Sequence, residues 1–386
     1  MVRLRAGVIG AGFIGTAHIE ALRRLGNVDV VALADDSRES AEAKAKALYI
    51  PRAYGAWQEL IDDLQVDVVH NCTPNYLHFA IAMAAIRAGK AIVAEKPLGI
   101  TSEESRKLWD AAKQAGVVNA VVFNYRAYPM VQQARAMIRA GDAGEVRLVH
   151  GFYLQDWLLL DTDYNWRVDP KLGGRSCAMA DIGSHWVDLA QYVTGLRIEA
   201  LCSDISTFVQ SRRPSAARTE SGPGDRDAGP QPELRVEVED SGGLLLRFAG
   251  GAQGNAIISQ VAAGHKNDLR IEIHGSRQSL AWSQEEPNAL WIGRREAANS
   301  LLPKDPNLLS PAARRFAHYP GGHGEAYPDG LKNLFLNVYR AIESDRPPAE
   351  DLADFPTFRD GHRAMLLVEA VLESAKGCGW VSVPLE

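Results

Sequence analysis

Residues 1–124 switch repeatedly between two hydrophobic periods, and that alternation limits what the chain can fold into. Short apolar runs of strand type lie at Ala6–Ile9, Val28–Ala34, Val66–Asn71, Ala91–Ala94 and Val117–Phe123. Helix-period stretches separate them: Phe13–Leu25, Arg38–Leu48, Trp57–Leu64, His78–Ala88 and Ser102–Ala115. Thr101 and Glu104 have the spacing of a capping box at the start of the last of these. Strands alternating with helices of this length predict an α/β domain with a parallel sheet covered on both faces. The strands are apolar nearly throughout, as burial on both sides demands.

After Asn124 the pattern changes. A helix at Val131–Ala140 leads into a long strand-like run, Glu145–Trp157, and a second helix is expected at Ile182–Val193, ending at Gly195 in a left-handed cap. Alternating runs follow at Leu234–Val238, Leu244–Phe248, Ala256–Val261, Leu269–His274 and Leu280–Trp282. Strands without helices between them predict a largely antiparallel sheet, so residues 125–386 are expected to form an α+β domain. Residues Ser211–Pro232 carry almost no apolar side chains and are expected to form a mobile loop. Gly361–Lys376 has one apolar face and is expected to pack back onto the body.

A length of 386 residues fits two domains, divided here at 1–124 and 125–386. Net charge is −6 with both signs mixed, so nothing points to nucleic acid or an anionic membrane as partner. The N-terminus lacks the zones of a secretory signal, and no apolar run approaches the ~18 residues of a membrane span. Cys72, Cys177, Cys202 and Cys378 are scattered, with no C-x-x-C pair. They read as reduced, mostly buried thiols of a cytoplasmic protein, and no metal-ligand spacing is present.

Gly10-Ala11-Gly12-Phe13-Ile14-Gly15 follows a strand and opens a helix. Gly10 permits the tight turn, Gly12 lets the backbone approach a pyrophosphate, and Gly15 allows close helix–strand packing. The helix N-terminus offers unpaired N–H groups to phosphate. Asp35, at the end of the next strand, is placed to bond the adenosine ribose hydroxyls. These elements predict a dinucleotide site using Gly10, Gly12, Phe13, Ile14 and Asp35. The Asp35 carboxylate favours NAD, and the nearby Arg38 leaves NADP open.

Further clusters carry chemistry. Cys72–His78 (CTPNYLH) and Glu95-Lys96-Pro97 lie just past strand ends, where open α/β sheets bind ligands. Asp181 and His185 stand four apart, on one face of a helix. Oxidation of an alcohol needs a proton acceptor, for which histidine is suited near neutral pH. A carboxylate can orient the imidazole, and a lysine can stabilise charge on the reacting oxygen. Taken singly, each has a plainer role: Asp181 as a helix cap, His185 as a satisfied core histidine, Lys96 as a solvated loop lysine.

In this order the glycine turn, T-P-N-x-x-H, E-K-P, F-N-Y-R (Phe123–Arg126) and D-I-G-S-H resemble the Gfo/Idh/MocA oxidoreductase family over essentially the whole chain. The resemblance implies a Rossmann domain followed by an open-faced sheet domain, with the active site between them and a homodimer or homotetramer as the assembly. It implies Lys96, Asp181 and His185 as catalytic residues, His185 being the acid/base, and a cis bond before Pro97. Thr73, Asn75, His78, Glu95, Lys96 and Asn124 would line the dinucleotide cleft. Within the family the chain is more similar to the levoglucosan-oxidising group and its relatives that act at C3 of a pyranose, through Tyr153–Trp157 (YLQDW) and Trp166-Arg167. By that likeness Tyr125, Gln155, Trp157 and Arg167, with Lys96, Asp181 and His185, would contact a sugar, and Trp166 and Arg167 would reach the cofactor. The loop Tyr319–Glu325, with His323, is more like other sugar-oxidising relatives and leaves the particular sugar open.

The expectation is therefore an NAD(P)-dependent sugar dehydrogenase or ketoreductase. The alternatives are an NAD-dependent glycoside hydrolase or lyase using transient C3 oxidation, and a non-catalytic NAD-binding regulator. An intact Lys96, Asp181 and His185 set argues against the regulator, which needs no proton acceptor.

Overall fold

The computed structural model describes residues 3–213, 233–344 and 348–384. The chain divides into two compact units, neither of them continuous in sequence. The first runs to Val122 and adds Lys171–Gly174 and Leu331–Met365; the second holds Phe123–Pro170, Arg175–Gly330 and the residues from Leu366 on. A single cut after Asn124 therefore differs from the observed division. The reason is the helix Tyr327–Glu343, where Leu331, Leu334, Phe335, Val338 and Tyr339 are all buried, with Tyr339 bonded through its hydroxyl to His70 of the first unit. A strand-and-turn reading of its Tyr-Pro-Asp-Gly start hides this helix in the sequence.

In the first unit six parallel strands stand in the order Arg52–Tyr54, Val28–Ala34, Leu4–Ile9, Val68–Asn71, Ala91–Ala94, Asn119–Val121. The chain leaves Leu4–Ile9 in both directions, which is the doubly wound dinucleotide-binding order. Helices Phe13–Arg23, Arg38–Ala47, Trp57–Asp62, Asn75–Arg87 and Ser102–Ala115 connect the strands. The capping box is modified: Thr101 Oγ1 accepts from Glu104 N, but the Glu104 carboxylate reaches back to Ile100 N. The expected strand Val117–Phe123 is shorter, and Arg52–Tyr54, a three-residue edge strand, was not foreseen.

The second unit holds a nine-stranded sheet ordered Ser300–Pro303, Ala289–Arg294, Gln278–Ser283, Asp268–Gly275, Val146–Leu154, Gln253–Ser259, Ser241–Phe248, Ile198–Ser206, Val381–Ser382. Val146–Leu154 and Gln253–Ser259 run parallel; the other pairs are antiparallel. Buried and exposed side chains alternate along it. Leu244, Leu246, Ala256 and Ile258 enter the core with Trp186, Leu189 and Leu367, while Leu245 and Ile257 face outward and are exposed. One face is thus packed by helices, including Pro129–Arg139 and Ser184–Thr194, and the other is open. Gly195 ends the latter helix at φ 72°, the left-handed cap expected of it.

The run Leu234–Val238 does not join this sheet. Only Leu234–Arg235 pairs, and its partner is Ser211–Arg212. Of the expected mobile loop Ser211–Pro232, residues 214–232 lie outside those described. Cys72 and Cys177 are buried, Cys202 is partly buried and Cys378 is exposed. Among the described residues no helix is long and apolar enough to cross a membrane.

Candidate active site

The first unit gathers its polar residues at the carboxyl ends of its parallel strands. Gly10 follows Ile9 with φ 87°, and a Cβ there would meet the Cys72 carbonyl at 2.7 Å. Gly15 is tighter still, since its Cβ would fall 2.0 Å from Gly10 O. Gly12 differs from both: a Cβ would meet nothing within 4 Å. It caps the helix Phe13–Arg23 with no side-chain cap bond and no acid in the first turn. Open space over a bare helix N-terminus fits a dinucleotide pyrophosphate, with backbone N–H groups as its donors. Phe13, exposed, and Ile14 begin that helix.

Asp35 follows the Val28–Ala34 strand. Its Oδ2 accepts from Ser40 Oγ at 2.7 Å and from Lys44 Nζ. Burial acts to raise its pKa, but these two bonds, the Lys44 charge and a backbone N–H together hold the carboxyl below its ordinary value. Arg38 is turned to Ala53 O and Glu42, so Lys44 is the cation on this carboxylate.

Several of the residues expected to line the cleft hold loops together. His78 is buried, with Nδ1 2.7 Å from Pro97 O and Nε2 2.8 Å from Thr73 O. It joins the Thr73 loop to the segment after the cis Lys96–Pro97 bond. Asn75 Nδ2 donates to Gly173 O, and Thr73 Oγ1 donates to Asn71 Oδ1. Glu95 points inward: Oε1 lies 3.1 Å from His18 Nε2, His18 Nδ1 lies 3.0 Å from His70 Nδ1, and His70 Nε2 lies 3.0 Å from the Tyr339 hydroxyl. Burial drives the His70 pKa well down. Burial acts to raise Glu95, but the His18 hydrogen bond and neighbouring cations bring it below the usual carboxylate range. Lys96 is partly buried.

The second unit holds the other cluster. Asp181 lies in a single turn of π-helix, Met179–Gly183, from which the α-helix Ser184–Thr194 continues. The helix therefore begins earlier than Ile182, and the wide turn is accompanied by Ser184 Oγ bonding back to Ala180 O at 2.7 Å. Such turns recur at functional sites. Asp181 is held on both oxygens: Arg167 Nε lies 3.2 Å from Oδ1, and Gln260 Nε2 donates to Oδ2 at 2.8 Å. Arg167 lies over the Trp166 ring at 4.5 Å, and Asn165 accepts from its backbone and guanidinium. Upstream of Asp181, the buried Glu239 Oε1 accepts from Ser176 Oγ, Cys177 N and Met179 N.

His185 is buried against aromatic edges, with the Tyr125 ring 4.9 Å away, Phe123 at 5.5 Å and Tyr153 at 6.3 Å. Asn124, next to Tyr125, is buried. Tyr153 donates to Asn267 Oδ1, Asn267 Nδ2 donates to Tyr125 Oη, and the two hydroxyls are 2.7 Å apart. With those donors set, the remaining proton of Tyr125 completes a closed ring of three bonds. Burial pushes the Tyr153 hydroxyl well above its ordinary pKa, so it remains a donor. Gln155 Nε2 joins the ring at Asn267 Oδ1, and Trp157 Nε1 donates to Gln155 Oε1.

The structure thus brings Asp181, His185, Arg167, Tyr125, Gln155, Trp157 and Trp166 into one unit, and the glycine turn, Asp35, Thr73, Asn75, His78, Glu95 and Lys96 into the other. Gln260, Asn267 and Glu239 were not foreseen. Two are uncharged amides with no motif around them, and the third sits in an acidic alternating run that reads as solvated. His323 is exposed on its loop, whose base is fixed by the buried Lys304–Glu325 pair at 2.7 Å.

The oxidoreductase-family NAD-binding Rossmann fold of the Gfo/Idh/MocA type matches residues 4–123, and the C-terminal domain of that type matches residues 131–281. Levoglucosan dehydrogenase of Pseudarthrobacter phenanthrenivorans is 32% identical, covering 100% of this chain and 99% of its own. Myo-inositol 2-dehydrogenase of Thermotoga maritima is 27% identical, covering 96% of each. A solved structure of levoglucosan dehydrogenase in complex with NADH and levoglucosan superposes with a TM-score of 0.88 at 30% identity, covering 99% of both chains.

Proposed function

The chain belongs to the Gfo/Idh/MocA oxidoreductases and binds NAD, and from that premise we propose that it oxidises a secondary alcohol of a sugar or glycoside, or reduces the matching ketone, at C3 of a pyranose. The observation that carries the reading is the setting of His185: an imidazole packed against Tyr125 and Tyr153, whose hydroxyls belong to a ring of hydroxyl and amide groups, and one turn along the chain from Asp181, a carboxylate fixed on both oxygens. A hydroxylated ring needs such a surface, with amides and phenols for its hydroxyls and an aromatic face for its C–H groups.

Bound nicotinamide supplies the two-electron acceptor or donor. The residues of the chain do the rest. Gly10, Gly12 and the first N–H groups of the helix Phe13–Arg23 hold the pyrophosphate, and Asp35 addresses the adenosine ribose. His185 accepts the hydroxyl proton as the carbonyl forms and returns it in the reverse direction. Asp181, oriented by Arg167 and Gln260, favours the imidazolium that results. The Lys96 ammonium stabilises negative charge on the reacting oxygen. Gln155, Trp157 and Tyr125 orient the sugar. Arg167 serves the site by holding Asp181.

A panel of pyranoses, glycosides and cyclitols, followed by the reduced-nicotinamide absorbance, tests the reading. Expected is net NADH with a free ketosugar that keeps its glycosidic bond, confined to substrates with a free C3 hydroxyl. Bond cleavage without net NADH would assign the chain to the hydrolase or lyase alternative. No turnover across the panel, with NAD bound, would favour the regulator.

A further inference from the structure

On the open face of the second unit's sheet, away from the residues already described, three side chains form a cluster. Glu272 and His274 are two apart on the strand Asp268–Gly275 and so share a face; His150, on Val146–Leu154, is the register partner of Glu272. The three ligand atoms form a closed triangle. His150 Nε2 and His274 Nε2 are 3.0 Å apart, and Glu272 Oε2 lies 3.6 Å from the first and 3.8 Å from the second. The two imidazole planes are within 8° of parallel. The point equidistant from these atoms lies ~2.0 Å from each, the length of a zinc–imidazole or zinc–carboxylate bond.

We infer that His150, Glu272 and His274 form a site for a divalent transition cation of the zinc class, with a fourth position left to water. The surrounding bonds support it. His274 Nδ1 is 2.9 Å from Ser279 Oγ, so with the ring proton on Nδ1 the His274 Nε2 lone pair is turned toward His150 Nε2, on the cluster side of the ring. Arg270 donates through Nε and Nη2 to Glu272 Oε1, which leaves Oε2 toward the imidazoles. Such outer bonds to the ligand not used by the metal are what orient metal sites. Two imidazoles and one carboxylate in a roughly equilateral set suit zinc, nickel or copper rather than magnesium or calcium, which take oxygen ligands. The cation would tie the strand Asp268–Gly275 to Val146–Leu154. All three side chains are one-fifth to one-third exposed, so an ion has access.

The test uses the full untagged chain, stripped with chelator and titrated with Zn²⁺ by calorimetry and with Co²⁺ by visible absorption. Expected is one ion per chain, cobalt bands of a four-coordinate site, and binding weakened at least ~10-fold in His274→Gln and by ~10-fold in Ser279→Ala, where only an outer bond is lost. Both variants should melt as the metal-free wild type does, because neither side chain is buried. Wild-type Zn²⁺ binding no tighter than that of a His150→Gln/His274→Gln double variant would overturn the assignment. So would a cobalt spectrum of six-coordinate, water-like character; in that case the imidazoles are simply hydrogen-bonded to each other.

Discussion

Gln260 donates to Asp181 from a fully buried position, and with Arg167 on the opposite oxygen it leaves that carboxylate one orientation. Cys177 Sγ in turn lies 3.3 Å from Gln260 Oε1, which fixes which end of the amide faces Asp181. In the proposed mechanism Gln260 touches no substrate and acts through Asp181. A hydrogen bond to a charged group is worth about 1.5–3 kcal/mol. Gln260→Ala should therefore lower kcat roughly 10- to 100-fold while leaving the NADH dissociation constant unchanged. Gln260→Glu sets carboxylate against carboxylate and should lower kcat further, with partial recovery as pH falls. Steady-state kinetics and NADH fluorescence separate these effects; an unchanged kcat in both variants would remove Gln260 from the account.

The glycine turn separates binding from folding. Gly12 has room for a methyl group, whereas Gly15 does not. Gly12→Ala should fold with an unchanged melting temperature and bind NADH at least ~10-fold more weakly, because the methyl occupies space a pyrophosphate needs. Gly15→Ala forces backbone apart and should cost several kcal/mol, about 1–3 or more as overpacking does. Thermal melts and NADH titration of the pair check both halves.

Glu239 makes stability depend on pH. Burial raises its pKa above the ordinary value, against the pull of its three donors. The folded chain thus keeps this proton at pH values where the unfolded chain releases it. Its contribution is fully present below the unfolded glutamate pKa, about 4.3, and is lost as pH rises through the folded value. Glu239→Gln keeps an acceptor and does not titrate, so its stability relative to wild type should grow across that window and then level off. Glu239→Ala leaves three donors without their acceptor and should cost about 2–5 kcal/mol throughout. Denaturant unfolding from pH 4 to 8 measures all three; parallel wild-type and Gln profiles would contradict the shift.

How much could be read from residues alone follows from where each signal lies. Val28–Ala34, Ala91–Ala94 and Ser102–Ala115 fall at the expected positions because strands buried on both sides and a capped helix write their periods plainly. Ile198–Ser206 was missed because its outward positions carry Glu199 and Asp204, and a half-buried strand of mixed polarity resembles a loop. The helix Tyr327–Glu343 was masked by Pro328 and Gly330 in its first turn. Leu331–Met365 rejoins the first unit through contacts distant in sequence, such as Tyr339 with His70 and Phe358 N with Asn119 Oδ1, which no local period reports. In the candidate site, charged and aromatic residues stood out. The amides that hold them, Gln260 and Asn267, have no signature until the chain is folded around them.

The measurement closest to the centre of the account is the effect of His185→Ala on turnover and on cofactor binding, made on a sugar that the wild type oxidises. Removal of the proton acceptor predicts a kcat lowered ~10²- to 10⁴-fold, with the NADH dissociation constant within about twofold of wild type. Unimpaired turnover in that variant, or a defect confined to NADH affinity, would contradict the role given to this imidazole.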